Sequence, residues 1–194
     1  PMPIFIDSPL ALKAIQIFRQ HPECYNEDTY RTFTSEGDVF AAKYIHYVST
    51  AHDSKLLNRR SGPCVIISAS GMCEGGRVVH HLKHAIEDEA NVVVLVGWQA
   101  EHTLGRKLAE EWDTVPIFGI PTRRRAQVVR LNGYSAHADR DELLAYVRAI
   151  THHPRKVFVV HGEERQSLAF AMTLKTEFPE MEVEVPRPDS IHDA

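Results

Sequence analysis

Short apolar blocks alternate along the chain with stretches of helical periodicity, and no other feature restricts the fold as tightly. Pro3-Ile4-Phe5-Ile6 reads as a buried strand ending at Asp7-Ser8-Pro9, where Asp7 or Ser8 caps and Pro9 opens a helix through Leu10, Ala14, Ile17 and Phe18. Residues 20 to 62 are more polar; Glu23 to Glu36 is weakly patterned and Val39 to Val48 reads as helix. Cys64 to Ile67 is a second strand, followed after Gly75-Gly76 by a helix through Val79, Leu82 and Ile86. Asn91 to Val96, nearly all valine and leucine, has the composition of a strand covered on both faces, and Leu104 to Trp112 follows as helix. Beyond Pro121 the rhythm continues. Ala126 to Leu131 alternates as a strand, Asp139 to Ile150 is an amphipathic helix, and Lys156 to Val160 is a buried strand. Leu168 to Phe178 is a helix and Glu182 to Val185 a last short strand. These βα units predict an α/β protein, with a mainly parallel sheet and helices on both faces.

Composition narrows the function. With 194 residues, 43% of them apolar, the chain suits one large or two small globular units with a real core. Twenty-two Lys and Arg against 26 Asp and Glu give a net charge of −4, so any grip on nucleic acid must be local. Cys24, Cys64 and Cys73 are odd in number and lack a C-x-x-C pair, which argues against a disulfide scaffold or a cysteine-rich zinc module and for a reducing compartment, the cytoplasm. No run is long and apolar enough to span a bilayer, so no membrane partner is expected. Pro1 precedes Met2 and an apolar strand begins at once, so the sequence is expected to be part of a longer chain.

Three segments place reactive residues directly after strands, where open α/β sheets present their sites. In Ser68 to His84, small residues precede a helix N-terminus, so Ser68, Ser70 and Gly71 would cradle a phosphate, or the stretch is an ordinary glycine-rich turn. His80 and His84 share a helical face that either meets a phosphate or is simply polar. In Asn132 to Leu143, His137 lies at a strand-to-helix corner near Ser135, Asp139 and Asp141; it is a general acid or base, or incidental beside a capping Ser135 or Asp139. His161 follows four apolar strand residues, as a ligand or a buried histidine, and one imidazole alone makes no zinc site. The basic tract Thr122 to Arg125 is a solvated turn or a patch beside the phosphate loop.

The ordered motifs SASGMCEGGRVVHHLKH, GWQAEHTLGRKL, NGYSAHADRDEL and VVHGEE, with IFIDSPLA at the start, resemble the β-CASP branch of the metallo-β-lactamase fold, which contains RNA-processing nucleases. The resemblance runs from Pro3 to Glu164. It implies a Rossmann-like β-CASP domain over residues 1 to 125 and a small α/β remnant of the metallo-β-lactamase domain over residues 126 to 194. By the same resemblance His137 is the catalytic histidine beside the scissile phosphate and His161 a ligand of one of two zinc ions. Ser68, Ser70 and Gly71, with His80 grouped beside them, bind RNA phosphates. The implied parent is a zinc-dependent ribonuclease, with RNA as partner and room for a homodimer. The family's H-x-H-x-D-H zinc motif is not found in this chain, whose missing metallo-β-lactamase part would carry it. Alone, the chain is therefore expected to hold no zinc tightly and to be inactive. The rival reading is an RNA- or partner-binding platform from an inactive family member. A right-handed βαβ crossover is further expected to bring His137 and His161 to adjacent strand ends.

Overall fold

The computed structural model describes residues 2–135, 137–152, 154–187 and 189–191. The chain divides into two compact units, Pro1–Ser135 and Ala136–Ala194.

In the first unit the order is β1 (Ile4–Asp7), α1 (Pro9–Gln20), α2 (Glu27–Glu36), β2 (Ile45–Tyr47), α3 (Ala51–Leu57), β3 (Val65–Ser68), α4 (Arg77–Ala85) and β4 (Val92–Val96). It continues with α5 (Leu104–Ala109), β5 (Thr114–Ile117), β6 (Ile120–Arg123) and β7 (Gln127–Leu131). Strands β2, β1 and β3 form a parallel sheet in that order, with Ile4 opposite both Ile45 and Val65 and Asp7 opposite Ser68. β4 pairs with β7 in parallel, and β5 with β6 as an antiparallel hairpin. Ser8 caps α1, its Oγ accepting from Ala11 N at 3.2 Å, with Pro9 in the first turn as the sequence requires.

The core of this unit comes from helical spacing. α4 turns Val79 and Leu82 inward with Ile86 at its C-cap, α5 adds Leu104 and Leu108, and Leu95, Val115 and Ile117 close the cluster from the strands. Ile86, Leu108 and Val115 are fully buried, each worth about 1.5–3 kcal/mol of apolar transfer free energy.

The second unit contains α6 (Arg140–Arg148), β8 (Lys156–Phe158), α7 (Glu164–Glu177) and β9 (Glu182–Glu184). β8 and β9 are parallel, and Leu144, Ala171, Leu174, Met181 and Val183 form a separate small core.

Three expectations need correction. Val39 to Val48 is not helical: Gly37 at φ +91° ends α2, and Ile45–Tyr47 is drawn out as β2 by pairing with β1, a tertiary contact that overrides local pattern. Among the described residues the strands lie in four small sheets, not one, and the valine run of β4 is covered on one side only. Leu95 is buried, whereas Val92, Val94 and Val96 are about half exposed. The hairpin was hidden by Pro116 and Pro121, which face each other across it at positions that ordinarily argue against a ladder.

Candidate nucleic-acid interface

The parallel sheet β2-β1-β3 delivers Asp7 to its C-terminal end, where its side chain is fully enclosed. A bare carboxylate there would be costly, and the chain surrounds it with donors. Arg77 Nη1 donates to Oδ1 at 2.5 Å; His81 Nε2 and Ser54 Oγ both donate to Oδ2 at 2.6 Å. Arg77 also donates to the carbonyls of Val48 (3.0 Å) and Ser49 (2.9 Å), and His81 Nδ1 lies 2.7 Å from Asn58 Oδ1. Burial raises the carboxyl's affinity for a proton, but the hydrogen bonds from Ser54, His81 and Arg77 outweigh it and hold Asp7 below its ordinary value.

This network fixes the loop between β3 and α4. Ser68 Oγ donates to the main-chain carbonyl of Asp7 at 3.1 Å, and Arg77, nine residues later, grips the carboxylate of the same residue. Both ends of the loop therefore hang on Asp7. Its middle rests on α5: Met72 O accepts from Gly105 N at 2.9 Å, and the Glu74 carboxylate accepts from Leu104 N. Gly76, at φ +72°, is the N-cap of α4, and a Cβ there would stand 3.1 Å from Ala69 O. Only glycine lets the loop close this tightly. α4 begins without a side-chain cap, as does α7, and its Val78 N–H donates to Ala69 O at 3.3 Å. A held, small-residue loop ahead of a helix N-terminus suits an anion at amides other than that of Val78.

The expected phosphate residues all lie on this loop and helix. Ser70 is half-buried, its carbonyl accepting from Cys73 N; Gly71 is exposed. The Ser68 hydroxyl hydrogen is directed at backbone carbonyls of Asp7 and Ala69. His80 is exposed, with its ring 4.8 Å from that of Phe118.

In the second unit His137 is exposed in the bend before α6, whose N-cap is Asp139. His161 is exposed at φ +68° in the turn between β8 and α7. Within the first unit β7 pairs with β4, and within the second β8 pairs with β9. The described residues do not fit a zinc centre, since no group of three or more His, Cys, Asp or Glu lies together. Cys73 is no thiolate, because burial and neighbouring Glu74 push its thiol up to about 11.

Sequence reading missed Asp7, Arg77 and His81 as a unit. Asp7 was legible only as one of two helix caps, a role that Ser8 takes.

Residues 1–108 match the Beta-Casp domain family. The chain belongs to the β-CASP family. Residues 121–186 match a second family, described as the Zn-dependent metallo-hydrolase RNA specificity domain. Over 182 residues the chain is 34% identical to transcription termination factor FttA of Methanocaldococcus jannaschii, covering 91% of this chain and 28% of that protein. Over 172 residues it is 37% identical to ribonuclease TTHA0252 of Thermus thermophilus, covering 89% of this chain and 39% of that protein. An RNase J-like protein of M. jannaschii is 41% identical over 127 residues, 66% of this chain and 29% of that protein. This β-CASP chain thus spans between a quarter and two fifths of the length of these relatives. Among its described residues no helix is long and apolar enough to cross a membrane.

Proposed function

We propose that this chain supplies the RNA-gripping surface and one acid–base histidine of a longer RNA phosphodiester hydrolase. Residues 1–125 serve as its β-CASP domain and residues 126–194 as the returning segment of a metallo-β-lactamase domain. The observation that carries the reading is the loop from Ser68 to Arg77, tied at both ends to Asp7 and leading into the N-terminus of α4. RNA phosphates bind at Ser70, Gly71 and the start of α4, with Ser68 shaping the loop and His80 one turn along the helix. His137 donates a proton to, or stabilises charge on, the leaving oxygen. His161 is one ligand of a zinc ion whose other ligands are not among the described residues. The name of the Thermus relative supports the hydrolase; that of the archaeal relatives supports a second reading, an RNA-binding platform acting in transcription termination.

Fluorescence anisotropy with a labelled single-stranded RNA tests the grip. Ser70→Trp or Gly71→Trp, which set a bulky ring on the loop where the phosphate would lie, should weaken binding about tenfold, the worth of one charge-assisted hydrogen bond. Unchanged affinity in both variants overturns the assignment of the loop. In a longer protein containing this chain, His137→Ala should slow cleavage without a matching loss of RNA affinity, because the group acts in the transition state. Cleavage at the unsubstituted rate favours the platform.

A further inference from the structure

We infer that Phe118 and His80 form a stacking step for one unpaired nucleobase, so that the interface takes the bases of single-stranded RNA as well as its phosphates. The inference rests on the RNA-binding reading above and adds to it a recognition element of different chemistry.

Phe118 and Gly119 are the two central residues of the β5–β6 turn, at φ +51° and +76°. A two-residue hairpin turn with both angles positive suits Asn-Gly, because a side chain with a Cβ is strained there. Phenylalanine is a poor occupant on local grounds. Burial does not compensate it, since Phe118 is 53% exposed. A strained and exposed aromatic residue calls for a functional account.

The surroundings say what that function is. α4 packs against β5, and the Phe118 ring meets the imidazole of His80 at a centroid separation of 4.8 Å and an interplanar angle of 46°. His80 lies on the first turn of α4, directly after the Ser68–Gly76 loop, so the ring pair borders the proposed phosphate site. Neither α4 nor residues 114–125 contain a carboxylate, whereas Lys83, His84, Arg123 and Arg125 are exposed on them. An exposed aromatic ring beside an imidazole, on a helix that carries Lys83 one turn further on, next to an anion site, matches a nucleotide with its base unpaired. Such a base stacks on aromatic rings irrespective of sequence, while one inside a duplex is already stacked.

The test compares two labelled ligands of equal length, an oligoadenylate of about twelve nucleotides and its abasic ribose-phosphate counterpart, on the full 194-residue chain. Phe118→Ala should weaken oligoadenylate binding about 5- to 50-fold and leave abasic binding within about twofold, with Phe118→Trp restoring the difference. Phe118→Gly separates function from folding, because it relieves the positive φ: its melting temperature should hold or rise while oligoadenylate affinity falls. Equal weakening of both ligands, or no weakening of either, overturns the stacking step but leaves the phosphate loop standing. Equal affinity of the unsubstituted chain for the two ligands does the same. If the unsubstituted chain binds neither ligand, both readings fall.

Discussion

Asp7 is the residue whose alteration should be felt furthest, because one enclosed carboxylate joins the end of β1 to α3, α4 and, through Arg77, the end of β2. Asp7→Asn keeps the shape but leaves the Arg77 guanidinium, 18% exposed, beside a neutral amide. Removing one partner from a buried pair costs about 3 kcal/mol, and urea unfolding at neutral pH should register a loss of that size. The pH dependence has a definite sign. The folded-state pKa of Asp7 is lowered, so its contribution is complete above the ordinary carboxylate value and disappears as pH falls through the lowered one. The unsubstituted chain should therefore lose stability below about pH 4, and Asp7→Asn should begin lower and fall less steeply over that range. A loss under about 1 kcal/mol, with an unchanged acid limb, would show that the network is not structural.

At the scale of the element, α6 shows how a local signal sets the frame for a candidate catalytic residue. Asp139 Oδ1 accepts from Asp141 N and Glu142 N, both at 2.9 Å, and Glu142 Oε2 accepts from Asp139 N, a complete capping box two residues after His137. Asp139→Ala should lower stability by about 1 kcal/mol while Asp139→Ser retains most of it, as thermal melts followed by circular dichroism would register. Equal loss in both would mean that the cap is not what holds the helix start. Such features are legible in sequence because they are local: Ser8-Pro9 opens α1 and Asp139 opens α6 as their residue types suggest. What was not legible depends on partners far along the chain. β2 exists because β1 is there to pair with it, and the β5–β6 hairpin turns on Phe118-Gly119, which carries no recognised turn signal. Among candidate site residues, the loop from Ser68 to Gly76 could be found from its glycines. Its anchor could not, since Asp7 and Arg77 are seventy positions apart and nothing local links them.

For the whole molecule the charge balance fixes how RNA must be held. Twenty-two cationic side chains against 26 anionic ones leave a net charge of −4, so the average surface repels a phosphate chain and attraction is confined to a small area. The carboxylate-free stretch of α4 and the exposed Arg123 and Arg125 supply such attraction, and the acid run Glu87-Asp88-Glu89 follows α4 almost at once. A ligand there can neutralise only a few phosphates. Each neutralised phosphate of a single strand contributes about 0.7 to the slope of log affinity against log salt, so about three of them give a slope near −2. Anisotropy titrations at several salt concentrations should return that shallow value, and Arg123→Gln with Arg125→Gln should reduce its magnitude by about 0.7 for each phosphate left without its cation. A slope steeper than about −5 would require a broad basic track that the composition does not supply, and would move the grip away from α4 and the hairpin.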